Sequence, residues 1–303
     1  MRTNLTSLIS LNNVPPRYYK PENAVDRSVI TRFEKITTNI FESMDEGTKK
    51  LADEIIAKIQ DRQREGKFCT IAFGTGTSLR QLFGELIRRH KDEGISFRNV
   101  ILFNLFEFYP INEGAGSTFS HLIKIFISQV DIDRQNIFTM EGSIPQDAVI
   151  DHCKLYEQRI QTFGGLDIAL LGIGRKGIIG MNEPGSQPSS TTRLILLDNT
   201  SRSEAAHNLG VDNLPPCSIT MGIKTILDAR KVYLLAWGED KAEIIRKTVE
   251  EKMTDSLPAS FLQMHTNAVV FTDLAAAAYL TRIQRPWLVA NCEWNNKLIR
   301  SAI

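Results

Sequence analysis

The chain has 303 residues, of which 42% are hydrophobic and 23% are charged, and its formal net charge is +1 at pH 7. This length and composition suit a globular protein with a substantial core, and the balanced charge argues against nucleic acid or an anionic membrane as a partner. The four cysteines are scattered without a C-x-x-C pair, which favours buried thiols in a reduced, cytoplasmic protein over a disulfide framework.

The N-terminal part is predicted to be an irregular arm followed by helices. Residues 1–26 are polar and contain several prolines, which predicts an irregular arm. From about Val29 to Gln63, apolar residues that include Ile36 and Ile40 recur at helical spacing, with a break near Gly47. This spacing predicts helices. No apolar run of the chain approaches the roughly 20 residues that span a bilayer.

Further along, short apolar runs alternate with amphipathic segments. The predicted strands are Phe68–Phe73, Val100–Asn104, Ile168–Gly172, Leu194–Leu197, Val232–Trp237 and Ala268–Thr272. The predicted helices are Leu79–Glu93, Phe119–Gln129, Ala148–Phe163, Ala242–Glu251 and Leu274–Arg282. The strands are nearly all apolar, as expected where helices cover both faces of a sheet. The alternation predicts a single-domain α/β fold over residues 27–283, with a doubly wound, mostly parallel sheet.

A glycine- and hydroxyl-rich turn follows the first predicted strand and precedes a helix. It consists of Gly74, Thr75, Gly76, Thr77 and Ser78. In a doubly wound sheet such a turn lies at the carboxyl ends of the strands, where ligands bind. Glycines let backbone N–H groups approach an anion, and the helix N-terminus adds partial positive charge. The turn alone fits a phosphate-binding loop and a capped tight turn equally well.

Two further motifs are less specific. Gly172–Gly177 matches G-x-G-x-x-G after a strand, but the dinucleotide fingerprint requires a helix at the third glycine. Gly180 and Pro184 follow instead, so we disfavour a nicotinamide cofactor. Lys241 follows another predicted strand and could meet a phosphate as a point charge, although a solvated lysine is the simpler interpretation. The histidines show no metal-ligand spacing, so no metal site is predicted.

Several segments, in order, resemble the glucosamine-6-phosphate deaminase/isomerase family, whose fold 6-phosphogluconolactonases share. They are Gly74–Ser78, Val100–Glu107, Gly172–Pro184, Thr220–Asp228, Gly238–Ala242 and Leu257–His265. The resemblance implies a Rossmann-like fold and a small phosphorylated sugar as the partner. It also implies a reaction without a cofactor, in which the ring of an amino-sugar phosphate opens, a proton shifts between C1 and C2, and ammonia leaves.

By this resemblance, many functional positions of the family carry a suitable residue in this chain. It places the phosphate loop on Thr75–Ser78 and the phosphate-binding lysine on Lys241. A basic residue, normally arginine, falls on His207, which we assign to substrate binding. The other retained positions are Gly174 and Asn182 for substrate binding and Glu107 and Glu183 as catalytic candidates.

Three proton-handling positions are substituted. The resemblance places the general-base aspartate on Phe106, the ring-opening histidine on Ile178, and a loop aspartate on Lys176. A phenylalanine and an isoleucine cannot transfer protons, and a general base typically contributes 10²–10⁴ in rate. Lys176 joins the catalytic candidates if burial lowers its pKa. Glu183 has a structural alternative, in which it holds the loop by hydrogen bonds.

We therefore favour a sugar-phosphate-binding member of this family, in amino-sugar or other carbohydrate metabolism, whose deaminase activity is weak or lost. A first alternative is a different sugar-phosphate reaction on the same fold, an isomerisation or a lactone hydrolysis. A second alternative is a non-catalytic structural or interaction domain.

The C-terminal extension, residues 284–303, is predicted separately. Its last nine residues read as an amphipathic helix with Leu298, Ile299 and Ile303 on one face, and no capping signal ends it. The resemblance implies that some relatives carry a second, deacetylase-like module. The extension therefore begins a further domain or docks on a partner subunit of a homo-oligomer, or else it folds back on its own domain.

Overall fold

The computed structural model of the chain describes residues 14–289. The β-strands in this range are β1 (Thr37–Phe41), β2 (Cys69–Phe73), β3 (Val100–Asn104), β4 (Phe106–Tyr109), β5 (Ile137–Phe138), β6 (Ile168–Gly172), β7 (Arg193–Leu196), β8 (Cys217–Thr220), β9 (Lys231–Ala236) and β10 (Ala268–Asp273). The α-helices are α1 (Ala24–Ile30), α2 (Met44–Arg64), α3 (Thr77–Glu93), α4 (Thr118–Ile125), α5 (Val149–Thr162), α6 (Asn199–Leu209), α7 (Ile223–Leu227), α8 (Ala242–Glu250) and α9 (Thr281–Gln284). In this range, no helix is long and apolar enough to cross a membrane.

Seven strands form the main sheet in the order β1-β10-β9-β6-β2-β3-β5, and every neighbouring pair is parallel. The strands are apolar because helices cover both faces. Successive side chains point to opposite faces, so Ile71 of β2 packs in one core cluster and Ala72 in the other. The predicted doubly wound, mostly parallel α/β sheet is confirmed.

A second, smaller sheet is antiparallel and has the order β4-β8-β7. The sequence pattern predicts neither β4 nor β8, and the predicted strand Leu194–Leu197 corresponds to β7 at the edge of this sheet. A third core cluster joins the small sheet to α6 and consists of Phe108, Met181, Leu197, Ala206 and Leu214. Because β4 begins directly after β3 ends, the small sheet borders the carboxyl edge of the main sheet.

The predicted helical range from Val29 to Gln63 is partly wrong. Ile40 lies in β1, which pairs with β10 along its whole length, and Ile36 directly precedes that strand. Gly47 does not interrupt a helix but lies in the first turn of α2. A Cβ atom there would lie 2.7 Å from the Trp237 ring, so close packing explains the glycine.

The predicted helix over Leu274–Arg282 is wrong over most of its length. Residues 274–279 form turns, and α9 begins at Thr281. The side chain of Asp273 accepts a hydrogen bond from the backbone N–H of Ala276 at 2.8 Å. Aspartate side chains that bond the following backbone in this way favour a turn over a helix.

The two ends of the described range bear on the predicted arm and extension. The described part of the arm contains a short helical turn over Pro16–Tyr18, and α1 begins at Ala24 with Asn23 as its N-cap. The boundaries of the domain at residues 27 and 283 stay a prediction. The helix predicted over residues 295–303 lies outside the described residues.

Candidate functional site

A cleft opens at the carboxyl ends of β2, β6 and β9. The chain proceeds outward from β2 to β3 and β5 on one side, and from β6 to β9 and β10 on the other. The boundary between β2 and β6 is therefore the point at which the strand order reverses. Ligands of open α/β sheets bind at such a point. The loops that follow β2 and β6 both line the cleft.

The glycine-rich turn after β2 forms one wall of the cleft. All of Gly74–Ser78 lines it. Gly76 is the N-cap of α3 and has no side chain to accept hydrogen bonds from the first turn. The Leu79 N–H donates to the Gly76 backbone oxygen at 3.0 Å, and the N–H groups of Thr77 and Ser78 remain available to an anion. The indole N–H of Trp237 donates to the backbone oxygen of Ser78 at 3.1 Å. This bond fixes the turn against β9.

Lys241 lies in the same cleft. It ends a short helical turn, Glu239–Lys241, that follows β9. The turn is anchored by the Gly238 N–H, which donates to both carboxylate oxygens of Asp273 at 3.1 and 3.2 Å. The Lys241 side chain is only 14% exposed, whereas Asp240, its ion-pair partner at 3.5 Å, is 74% exposed. Lys241 therefore presents a largely desolvated cation to the cleft beside Gly74–Ser78.

Apolar side chains form another wall. Phe106 at the start of β4 and Ile178 in the loop after β6 both line the cleft, together with Phe108. The loop is closed by a hydrogen bond of 2.9 Å from the Gly174 N–H to the Ile178 backbone oxygen. Gly174 itself lines the cleft. The positions that the resemblance assigns to a general base and a ring-opening histidine therefore face the cleft, but their side chains carry no proton-transferring group.

Glu107 is directed away from the cleft, because neighbouring side chains of a strand point to opposite faces. Its Oε1 accepts hydrogen bonds from the N–H groups of Phe108 at 2.8 Å and Thr118 at 2.9 Å. Its Oε2 accepts from the Ser117 hydroxyl at 2.8 Å and the Phe119 N–H at 3.0 Å. The buried carboxylate thus holds the first turn of α4 against the small sheet.

Replacing Glu107 by glutamine is expected to lower the free energy of unfolding by about 2–3 kcal/mol, because one accepting oxygen becomes an NH₂ group that faces buried donors. Urea unfolding at pH 7 measures the change. Glu141→Gln, at an exposed position, is the matched control and should stay within about 0.5 kcal/mol of the unchanged protein. Equal stability of the two variants would contradict the structural role of Glu107.

Asn182 and Glu183 do not line the cleft but shape the loop after β6. The fully buried Asn182 amide donates to the backbone oxygens of Ile179 at 2.9 Å and Met221 at 2.8 Å. Its oxygen accepts from the Arg193 guanidinium at 2.9 Å, and burial lowers the pKa of that arginine. Glu183 Oε1 accepts from the Asp198 N–H at 3.2 Å. These bonds tie the loop to the small sheet and to the start of α6.

Lys176 and His207 also lie outside the cleft lining. The Lys176 amine forms an ion pair with Asp198 at 3.1 Å, and both side chains are close to half exposed. That hydrogen bond is the main cause of the lowered pKa of Asp198, which also caps α6 by accepting from the Thr200 N–H. His207 is on the exposed side of α6. The structure therefore does not bring these two residues to the glycine-rich turn.

Sequence reasoning missed a polar face of α6. Ser201, Glu204 and Asn208 line the cleft and recur at the three- and four-residue spacing of one helix face. Arg175 of the loop after β6 approaches Glu204 with its Nε at 3.7 Å from Oε1. Asp198 before the helix and Gly210 after it are capping residues, and they were the available signals for α6.

The loop after β6 does not continue into a helix. Gly177 has φ +70°, and the chain then forms a bridge between Ile179 and Asn182. A helix N-terminus, which holds the pyrophosphate in the dinucleotide fold, is not formed at this loop. Within residues 14–289, no cluster of three or more His, Cys, Asp or Glu side chains could hold a metal ion.

Comparison with known proteins is consistent with this geometry. The family model for glucosamine-6-phosphate isomerases/6-phosphogluconolactonase matches residues 42–271. A putative glucosamine-6-phosphate deaminase-like protein of Bacteroides thetaiotaomicron is 57% identical over 305 residues, which cover 100% of this chain and 46% of that protein. The chain thus spans about half the length of this relative. The glucosamine-6-phosphate deaminase of Shewanella halifaxensis is 41% identical over 213 residues, 70% of this chain and 80% of that protein.

Solved structures are also similar. A monomeric glucosamine-6-phosphate deaminase superposes with a TM-score of 0.75 at 30% identity, covering 80% of this chain and 100% of that one. The 6-phosphogluconolactonase of Trypanosoma brucei has a TM-score of 0.67 at 18% identity, covering 82% and 99% of the two chains. The second likeness is one of fold alone.

Proposed function

Because the chain belongs to the family of glucosamine-6-phosphate isomerases and 6-phosphogluconolactonases, we propose that it binds a small phosphorylated sugar with little or no deaminase activity. The observation that carries this proposal is the composition of one cleft. Gly74–Ser78 and Lys241 line it together, whereas Phe106 and Ile178 occupy the wall where the family resemblance places proton-transferring groups. The protein would then act in amino-sugar or other carbohydrate metabolism as a binding protein.

The phosphate of the ligand would lie against Gly74–Ser78. Free N–H groups at the start of α3 and the positive end of the helix dipole both favour an anion there. Lys241 supplies a full positive charge, and its burial strengthens the attraction because solvent screens it less. The hydroxyl groups of Thr75, Thr77 and Ser78 add further donors.

The rest of the ligand would meet the apolar wall and α6. Phe106 and Phe108 are tilted edge to face with ring centroids 5.7 Å apart, and Ile178 lies nearby in the same lining. These side chains can pack against the carbon skeleton of a sugar but cannot accept a proton from it. Glu107, which resemblance makes a catalytic candidate, already accepts four hydrogen bonds and serves the fold instead.

Replacing Lys241 by alanine is expected to weaken phosphosugar binding by about 1.5–3 kcal/mol, the usual value of a hydrogen bond to a charged group. This corresponds to roughly 10- to 150-fold in Kd. Isothermal titration calorimetry with glucosamine 6-phosphate and glucose 6-phosphate measures the change. Lys252→Ala, at an exposed position, is the control and should bind as the unchanged protein does.

Two results would contradict the proposed function. One is an unchanged affinity in Lys241→Ala, which would place the phosphate elsewhere. The other is the absence of binding heat with either phosphosugar in the unchanged protein, together with no shift of its melting temperature. The second result would favour the interaction-domain alternative.

A further inference from the structure

The ionisable side chains of the cleft form a small set. Among the described residues, those that line it are Lys241 and Glu204. One is a cation beside the glycine-rich turn, and the other is a carboxylate on α6. A ligand that carries a negative phosphate and a positive group would complement both charges, whereas a purely anionic ligand would complement only Lys241.

The position of Glu204 is fixed by the helix that carries it. Asp198 caps the first turn of α6, and Ala206 is buried in the core cluster shared with the small sheet. Ala206 faces that core, and Ser201, Glu204 and Asn208 lie on the opposite face of the helix and line the cleft. The carboxylate is therefore carried on a helix that is anchored at its start and packed along one side.

The carboxylate of Glu204 is also available to a ligand. Its side chain is 32% exposed, and the Arg175 Nε that faces it is 3.7 Å away, beyond normal hydrogen-bond distance. Arg175 is itself 77% exposed, so solvent screens its attraction to the Glu204 carboxylate. Glu107 and Glu183 differ in that neither lines the cleft.

We propose that Glu204 contacts the ligand and determines specificity, favouring a phosphorylated sugar that bears a positively charged amino group over its hydroxyl counterpart. The inference rests on the proposed function, since it assumes that the phosphate lies near Lys241. Ser201 and Asn208 flank Glu204 with hydroxyl and amide groups that can bond to sugar hydroxyls. Glu204 thus supplies in the cleft a negative charge that Phe106 and Ile178 do not.

The test uses calorimetry to compare glucosamine 6-phosphate with glucose 6-phosphate, which differ at one position. The measurements are made at about pH 6, because an amine with a pKa like that of an α-amino group is protonated there. The unchanged protein should bind the amino sugar about tenfold more tightly. In Glu204→Gln the ratio should fall to about one, with the affinity for glucose 6-phosphate changed by less than about twofold. Glu243→Gln, an exposed position on α8, should keep the ratio.

The outcomes separate this inference from the proposed function. If Glu204→Gln binds inorganic phosphate with a Kd within about twofold of that of the unchanged protein, the variant retains its fold and its phosphate site. A preference that survives in Glu204→Gln, or an unchanged protein without any preference, overturns the role of Glu204. In both cases the proposed function stands as long as Lys241→Ala weakens both phosphosugars. If neither phosphosugar binds to the unchanged protein, the proposed function fails and the inference fails with it.

Discussion

Replacing Arg282 by methionine is expected to lower the free energy of unfolding by about 3–5 kcal/mol at about pH 9, because a buried carboxylate loses its charge partner. The side chains of Arg282 and Glu34 are 2% and 3% exposed, and the Nε–Oε1 distance between them is 2.7 Å. The guanidinium also donates to the backbone oxygen of Thr38 in β1 at 2.8 Å. Methionine is long enough to limit the cavity, so the loss is mainly electrostatic.

The loss should depend on pH. Burial raises the pKa of Glu34 from 4.5 to about 7, and the charge of Arg282 opposes that rise. A folded-state pKa above the unfolded value means that the stability contributed by this proton is fully present below about pH 4.5 and is lost as the pH rises through about 7. Without Arg282 the carboxyl binds its proton still more tightly. At about pH 9 the unchanged protein holds an ionised, paired Glu34, whereas the variant must bury an unpaired carboxylate or retain the proton. The deficit of Arg282→Met should therefore grow between pH 7 and about pH 9, as urea unfolding at both pH values can measure.

The control is the double variant Glu34→Gln with Arg282→Met. Removing both charges leaves no unpaired ion, so this protein should be within about 1–2 kcal/mol of the unchanged one at pH 9. A deficit in Arg282→Met that is below about 1 kcal/mol at pH 9, or the same at pH 7 and pH 9, would show that Arg282 does not stabilise a buried carboxylate at Glu34.

The main sheet could be predicted because its strands are short apolar runs between amphipathic helices. Ile36 and Ile40 show where such patterning fails. Their separation of four residues fits one helix face, but it also fits one face of a strand, whose side chains alternate with a period of two. Pairing with β10, more than two hundred residues away in sequence, decides in favour of the strand. A local pattern does not contain that information.

The sequence predicted the part of the cleft whose residues have phosphate-binding chemistry and also follow strands of the same sheet. Gly74–Ser78 and Lys241 each follow a strand of one parallel sheet, so the carboxyl edge brings them together. Glu107 was not predictable, because a retained motif does not tell which side of β4 its members face. The neighbouring Phe106 points into the cleft, so Glu107 points out of it. Glu204 was not predicted, because α6 is mostly polar and buries only Ala206. The apolar residues of α6 therefore show only a weak helical periodicity.

The protein is expected to release ammonia from glucosamine 6-phosphate at least a hundredfold more slowly than an intact deaminase. The reason is that Phe106 and Ile178 line the cleft at the two positions where the family resemblance places proton-transferring groups, and each positioned acid or base typically contributes 10²–10⁴ in rate. Lys176 does not compensate, because it is exposed and paired with Asp198 and lies outside the cleft lining. Ordinary enzymes turn over at about 1–10³ s⁻¹, with a median of about 10 s⁻¹, so a loss of at least a hundredfold from the median predicts less than about 0.1 s⁻¹.

Ammonia release at saturating glucosamine 6-phosphate measures this rate, with the Shewanella halifaxensis deaminase as the positive control at equal concentration. Calorimetry on the same preparation shows whether the sugar is bound, so that slow turnover is not mistaken for an empty cleft. Binding without turnover is the expected pair of results. A rate within the ordinary range would contradict the loss of activity. The proton acceptor would then have to lie in the cleft, where Glu204 is the carboxylate among the described residues, and a corresponding loss of rate in Glu204→Gln would identify it.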